Sequence, residues 1–210
     1  MTNSKKPIRV YKPRRENSTR SSRIPRGSKR FLAYLKKEPS ELKKKMLFIG
    51  YLFDKLSKKD VKAYVVGGEA VEIYTAGQFT TGDIDITVTD REKTVKLLVE
   101  MGFTQTGRIW LNENVGLAID IVSTFPSRTE KARIIEVGDF KVNVVGVEDL
   151  VIDRLTAAKY WRSNPKLDIE QAAVLLTAFK NSVDLEYIRK RAVEEKVDDY
   201  LHEIEKWPLT

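Results

Sequence analysis

Residues Ala63 to Val88 read AYVVGGEAVEIYTAGQFTTGDIDITV. An apolar strand, Tyr64-Val65-Val66, runs directly into Gly67-Gly68. A short helix over Glu69 to Ala76 follows, with Gly77 as its natural stop. After a turn comes a second strand, which carries Asp83 and Asp85 one residue apart. Side chains alternate across a strand, so Asp83 and Asp85 share one face while Ile84 and Ile86 share the other. Two neighbouring carboxylates repel, and a divalent cation removes that repulsion. Hard oxygen ligands of this kind suit Mg²⁺. The glycine pair lets the backbone approach a ligand where a helix N-terminus favours an anion. A phosphate cradle next to a metal-binding pair in sequence is the layout of a nucleotide-handling site.

Outward from this stretch, Phe31 to Leu56 reads as helix with a break at Pro39, and Ser40 is a good N-cap for its second part. Asp90 to Met101 is an amphipathic helix ending at Gly102. Phe103 to Leu111 and Val115 to Val122 read as two strands of a hairpin around Asn112-Glu113-Asn114, and Arg133 to Val137 and Phe140 to Val145 as another across Gly138-Asp139. Leu117, Ile119 and Ile121 share one strand face, leaving Asp120 on the other between Ala118 and Val122. A lone buried carboxylate needs a partner. If its strand lies beside that of Asp83 and Asp85, the three acids converge on one face, enough to hold two Mg²⁺ ions for an in-line displacement at phosphorus. The alternatives are an exposed pair for Asp83 and Asp85, and for Asp120 an ion pair with a Lys or Arg. From Val147 the period becomes helical, with candidate helices over 148–161, 167–179, 183–193 and 197–204.

Composition narrows the chemistry. Cysteine is absent, so disulfides, thiol catalysis and Cys-based zinc sites are excluded. His202 is the lone histidine, too few for a His-rich metal centre. No apolar run reaches the ~18 residues of a membrane span, and residues near the N-terminus show no signal-peptide core; a cytoplasmic protein without membrane contact is expected. The net charge is +8, but residues 1–30 alone carry eleven Lys or Arg and one acid, a balance of +10 that leaves −2 for the rest. Such a leader cannot bury enough surface to order itself. It is expected to be a flexible arm that neutralises RNA phosphates, with Tyr11 available for stacking; the plain alternative is a solvated tail. Three parts follow: a basic arm over 1–30, a mixed αβ core over 31–146, and a helical unit over 147–210.

The ordered set Gly67-Gly68, Asp83-x-Asp85 and Asp120 resembles the nucleotidyltransferase superfamily that includes DNA polymerase β and the minimal nucleotidyltransferases. Downstream, VEDLVIDRLTAAKYWRSNPKLDIEQAAVLL (Val147 to Leu176) is similar to the helical region of its toxin–antitoxin and abortive-infection branch. The resemblance spans about Ala33 to Phe179. It implies an α+β fold, a nucleotidyltransferase-like mixed sheet flanked by helices with a C-terminal helical unit. It also implies roles: Gly67 and Gly68 contact the triphosphate of an NTP, and Asp83 and Asp85 bind the metals. Asp120 completes the metal site near the attacking hydroxyl, where it can help to deprotonate it. Lys159 matches a basic residue that steadies phosphates, and Asp168 a helical acid that orders the site; for both, a pair between neighbouring helices is the alternative. The chain departs from the pattern in three places. It has Gly-Gly where many members have Gly-Ser, Glu69 follows directly, and Gln78-Phe79 supplies no basic residue ahead of the acid strand.

The expected function is therefore a Mg²⁺-dependent nucleotidyltransferase with RNA, such as a tRNA, as the leading acceptor, while protein AMPylation and small-molecule modification stay open within the same class. Two other readings stay open: a non-catalytic RNA- or ribosome-associated protein with the same fold, and the toxin of a toxin–antitoxin pair.

Overall fold

The computed structural model describes residues 24–25, 27–124, 131–161 and 164–206. Of the basic arm expected over residues 1–30, residues 1–23 and 26 lie outside the described residues, Tyr11 among them. The architecture is mixed α+β, with eight α-helices and one seven-stranded sheet among the described residues. No helix among them is long and apolar enough to cross a membrane.

The chain forms two compact units. One comprises the described residues up to Val65 together with those of 82–126 and Arg133–Val144. It contains the entire sheet: β1 (Ala63–Val65), β2 (Ile84–Val88), β3 (Thr104–Thr106), β4 (Ile109–Asn112), β5 (Leu117–Ser123), β6 (Arg133–Val137) and β7 (Phe140–Val144). Their spatial order is β3-β4-β5-β2-β1-β7-β6. The β2–β5 and β1–β7 pairs are parallel and the others antiparallel. Alternation gives the sheet two unlike faces. Val65, Ile84, Ile86, Ile119, Val142 and Val144 form the buried apolar centre of one of them. The opposite face carries Asp85 and Asp120.

Helix α2 (Glu41–Ser57) packs against β7 on the apolar face. Gly50 is the point of closest approach, since a Cβ there would lie 2.6 Å from the Cβ of Phe140. The side chain of Ser40 caps α2 by accepting from the Lys43 N–H at 3.3 Å. Helix α1 (Ser28–Leu35) starts earlier than Phe31, where the sequence reading begins it. The Phe31 N–H bonds the Gly27 carbonyl at 2.9 Å, which adds the earlier turn, and Phe31 and Leu35, four residues apart on one helical face, are both fully buried. Phe31 stacks on Tyr51 at 4.0 Å, and Ser28 and Tyr51 share a hydroxyl–hydroxyl hydrogen bond of 3.1 Å. Helix α4 (Arg91–Glu100) completes this unit, capped by Asp90, which accepts from the Lys93 N–H.

The second unit comprises Val66–Thr81, Ser127–Ala132 and the chain from Val145. Its described elements are α3 (Gly67–Tyr74), α5 (Val147–Thr156), a π-helical turn (Ala157–Trp161), α6 (Pro165–Phe179), α7 (Leu185–Glu194) and α8 (Asp198–Glu205). Tyr74 links α3 to this bundle twice. Its hydroxyl donates to the Val145 carbonyl at 2.7 Å, and its ring meets Phe179 edge-on at 5.4 Å. A chain of polar contacts runs from the surface of this unit inward. Lys131 pairs with Asp184 at 2.9 Å and lies over the Tyr187 ring, while the Tyr187 hydroxyl donates to buried Asp149 at 2.7 Å.

Candidate active site

Strand β2 pairs with β5 in parallel, and the register sets Asp85 directly beside Asp120. Asp83 lies one residue before β2, on the same side as Asp85 by alternation. One carboxylate oxygen from each of Asp83, Asp85 and Asp120 lies within 4.8 Å of the others. Asp83 and Asp85 are half-buried, and Asp120 is buried. The conditional step in the sequence reading, that the two acid strands be neighbours, is met. Three converging carboxylates, with no nitrogen or sulfur donor required, form a donor set that fits a hard divalent cation such as Mg²⁺.

Asp120 has a second partner, and the sequence reading missed it. Phe103 to Leu111 is not one strand. It breaks at Gly107-Arg108 into the antiparallel pair β3 and β4, joined by a two-residue turn. Gly107 is the first central residue of that turn, with φ +62°, where glycine is the favoured residue. The turn presents Arg108, whose Nε lies 3.2 Å from Asp120 Oδ2. The two partners differ greatly in environment: the Arg108 side chain is 78% exposed and that of Asp120 5%. The signal was a glycine inside a strand-like run, which marks a turn or a bulge. Convergence with Asp83 and Asp85 and an ion pair to an arginine, posed as alternatives for Asp120, therefore both occur.

Gly67 and Gly68 open α3 in the second unit, immediately after Val66. Gly67 has φ +57°, a left-handed conformation that a residue with a Cβ adopts only at a cost. The N-terminus of α3 carries the partial positive charge of a helix start. Glu69, the acid expected to complicate this end, is fully buried. Glu72 is also buried and accepts from the Thr81 N–H at 3.0 Å, tying α3 to the segment that precedes Asp83.

Lys159 lies on the π-helical turn. Its Nζ donates to the Lys196 carbonyl at 2.6 Å and to both Asp199 oxygens, at 3.0 and 3.1 Å. The Asp199 hydrogen bond raises the Lys159 pKa and lowers that of Asp199. Lys159 thus joins the π-turn to α8. Asp168 pairs with Arg154 at 3.3 Å, linking α5 to α6.

Burial raises the Asp168 pKa above its ordinary 3.8, Arg154 opposes that shift and Asp153 adds to it. A carboxyl whose folded value is raised holds its proton more tightly when folded. Its contribution to stability is therefore complete below the ordinary value and declines as pH rises through the folded one. Asp168→Asn removes that decline and keeps an oxygen for Arg154. Thermal melts at pH 4 and pH 7 are expected to show the variant gaining on the wild type at the higher pH. An unchanged difference would mean that Asp168 is not held against ionisation.

The profile of a family described as "Nucleotidyltransferase of unknown function (DUF6036)" matches residues 45–207. Among solved structures, an antigenic nucleotidyltransferase-like protein from Paracoccidioides brasiliensis is similar in fold. It is 16% identical, with a TM-score of 0.54, over 79% of this chain and 92% of that one. The antibiotic-resistance factor ANT(2'')-Ia, solved in solution, aligns at 15% identity and a TM-score of 0.47, over 72% of this chain and 91% of that one. No curated protein matches.

Proposed function

Because the chain belongs to this nucleotidyltransferase family, whose profile covers residues 45–207, we propose that it transfers a nucleoside monophosphate from an NTP to an acceptor hydroxyl. The observation that carries the reading is the convergence of Asp83, Asp85 and Asp120 within 4.8 Å. In the reaction, the acceptor oxygen forms a bond to the α-phosphorus as the bond to the β-phosphate bridging oxygen breaks. Pyrophosphate leaves, and the hydroxyl proton is released towards Asp120. Asp83, Asp85 and Asp120 would hold Mg²⁺, two ions in the full complement. Bound there, the metal stabilises charge on the attacking and leaving oxygens. The resemblance assigns Gly67 and Gly68 to the triphosphate, and the left-handed Gly67 is a conformation that favours glycine. Lys159, which the resemblance places at the same phosphates, also donates to Asp199 and so holds the π-turn.

The acceptor we favour is RNA, on the strength of the +10 balance of residues 1–30. The test is incubation of the protein with Mg²⁺, total RNA and each α-labelled NTP in turn. Label is expected in RNA from one nucleotide. Label on protein instead would keep the chemistry and change the acceptor. RNA binding without any transfer would favour the rival, a non-catalytic RNA-binding member, for which the Asp120–Arg108 pair is the supporting observation.

A further inference from the structure

We infer that Arg108 is a resident counter-ion which a divalent cation must displace from Asp120, so that the β3–β4 turn sets the metal affinity of the site. The inference rests on the metal-binding reading of the acid triad and adds to it a residue that no comparison assigns.

Three observations lead to it. Asp120 is the most buried of the triad, and a buried carboxylate is stable in charged form only when paired. Its partner, Arg108 at 3.2 Å, comes from the turn between β3 and β4 at the edge of the sheet rather than from a strand interior beside the acids. Arg108 is also 78% exposed, so its guanidinium can leave for water without crossing protein and at little desolvation cost. A cation that must serve Asp120 permanently would be expected to be enclosed with it. An exposed one is suited to exchange.

The oxygen that Arg108 occupies, Oδ2 of Asp120, belongs to the same carboxylate that converges with Asp83 and Asp85. A guanidinium and a metal ion at that carboxylate repel each other, so each weakens the binding of the other. The coupling is reciprocal: whatever Arg108 contributes to Asp120 in the metal-free protein is subtracted from metal affinity. The device also supplies, from the sheet edge, the basic residue that Gln78-Phe79 does not provide ahead of the acid strand. A guanidinium released at the rim suits a phosphate oxygen.

The test is Mn²⁺ binding to the full-length protein without nucleotide, by calorimetry or by the spin-resonance signal of free Mn²⁺. Arg108→Ala is expected to bind Mn²⁺ about tenfold more tightly, the scale of a contact between a single charge and a divalent one near water. Arg108→Lys, which keeps the charge, is expected to bind nearer to wild type. Lys96→Ala, which removes an exposed lysine of α4, is the control for net charge and is expected to change nothing. If wild type binds Mn²⁺ and Arg108→Ala binds it equally or more weakly, the inference falls while the metal site stands. Weaker binding would make Arg108 a positioning residue for Asp120. If wild type binds no Mn²⁺ at all, the metal reading of the triad falls and takes the inference with it.

Discussion

Replacing Asp83 and Asp85 together with asparagine will abolish nucleotidyl transfer and leave the fold standing. Both parts follow from where the side chains lie. The pair faces away from the buried apolar side of the sheet, where Ile84 and Ile86 pack and are fully buried. Asparagine keeps the size and shape of each side chain and removes like charges close to each other and to Asp120, so the melting temperature should hold or rise. The loss of chemistry should be large, because metal stabilisation of phosphoryl charge is worth several kcal/mol. At 1.36 kcal/mol per decade of rate, a deficit of about 4 kcal/mol is on the order of a thousandfold. The measurement is label transfer from the α-labelled nucleotide, with circular dichroism and Mn²⁺ binding on the same samples. A folded double variant that still transfers label at the wild-type rate would remove the triad from the mechanism.

The acid pair could be read from the sequence because strand alternation is a strict rule and the glycines before it mark a strand-to-helix turn. Convergence with Asp120 could be stated only as a condition. Nothing local in Leu117 to Ser123 says that it pairs in parallel with β2, because that register is set by non-local packing. Arg108 was hidden for a related reason. Phe103 to Leu111 is strand-like on both sides of Gly107, and only that left-handed glycine turns the chain back on itself. The early start of α1 depends on the bond from Phe31 N–H to the Gly27 carbonyl and on the long-range contact of Ser28 with Tyr51, which a charged flanking sequence conceals. The π-helical turn at Ala157–Trp161 is the subtlest case. A π-turn adds a residue to the helical repeat without breaking the apolar pattern, so helix over 148–161 reads as continuous. The extra residue changes the direction of every side chain after it. Here the turn carries Lys159, whose contacts run to Lys196 and Asp199.

Removing residues 1–23 is expected to separate RNA recruitment from transfer chemistry. The cut belongs before α1 and not at residue 30, because Ser28 bonds to Tyr51 and Phe31 stacks on the same ring. A deletion through these residues would damage the core and confound the result. Residues 1–23 carry eight Lys or Arg and one acid. Each phosphate neutralised on a single strand contributes about 0.7 to the slope of log affinity against log salt. Full engagement of the arm therefore corresponds to a slope of about 5, and the truncated protein should lose most of it. Its RNA affinity should fall most steeply at low salt, where counterion release drives binding hardest. Mn²⁺ binding at the acid triad should not change, because the triad belongs to β2, β5 and the residue before β2. Transfer of label to RNA should then drop through a higher apparent KM at constant kcat, the signature of lost uniform binding. A truncated protein with an unaltered salt slope would show that the arm does not contact RNA. The acceptor would then have to be sought among protein or small-molecule hydroxyls, with the transfer chemistry of the triad unchanged.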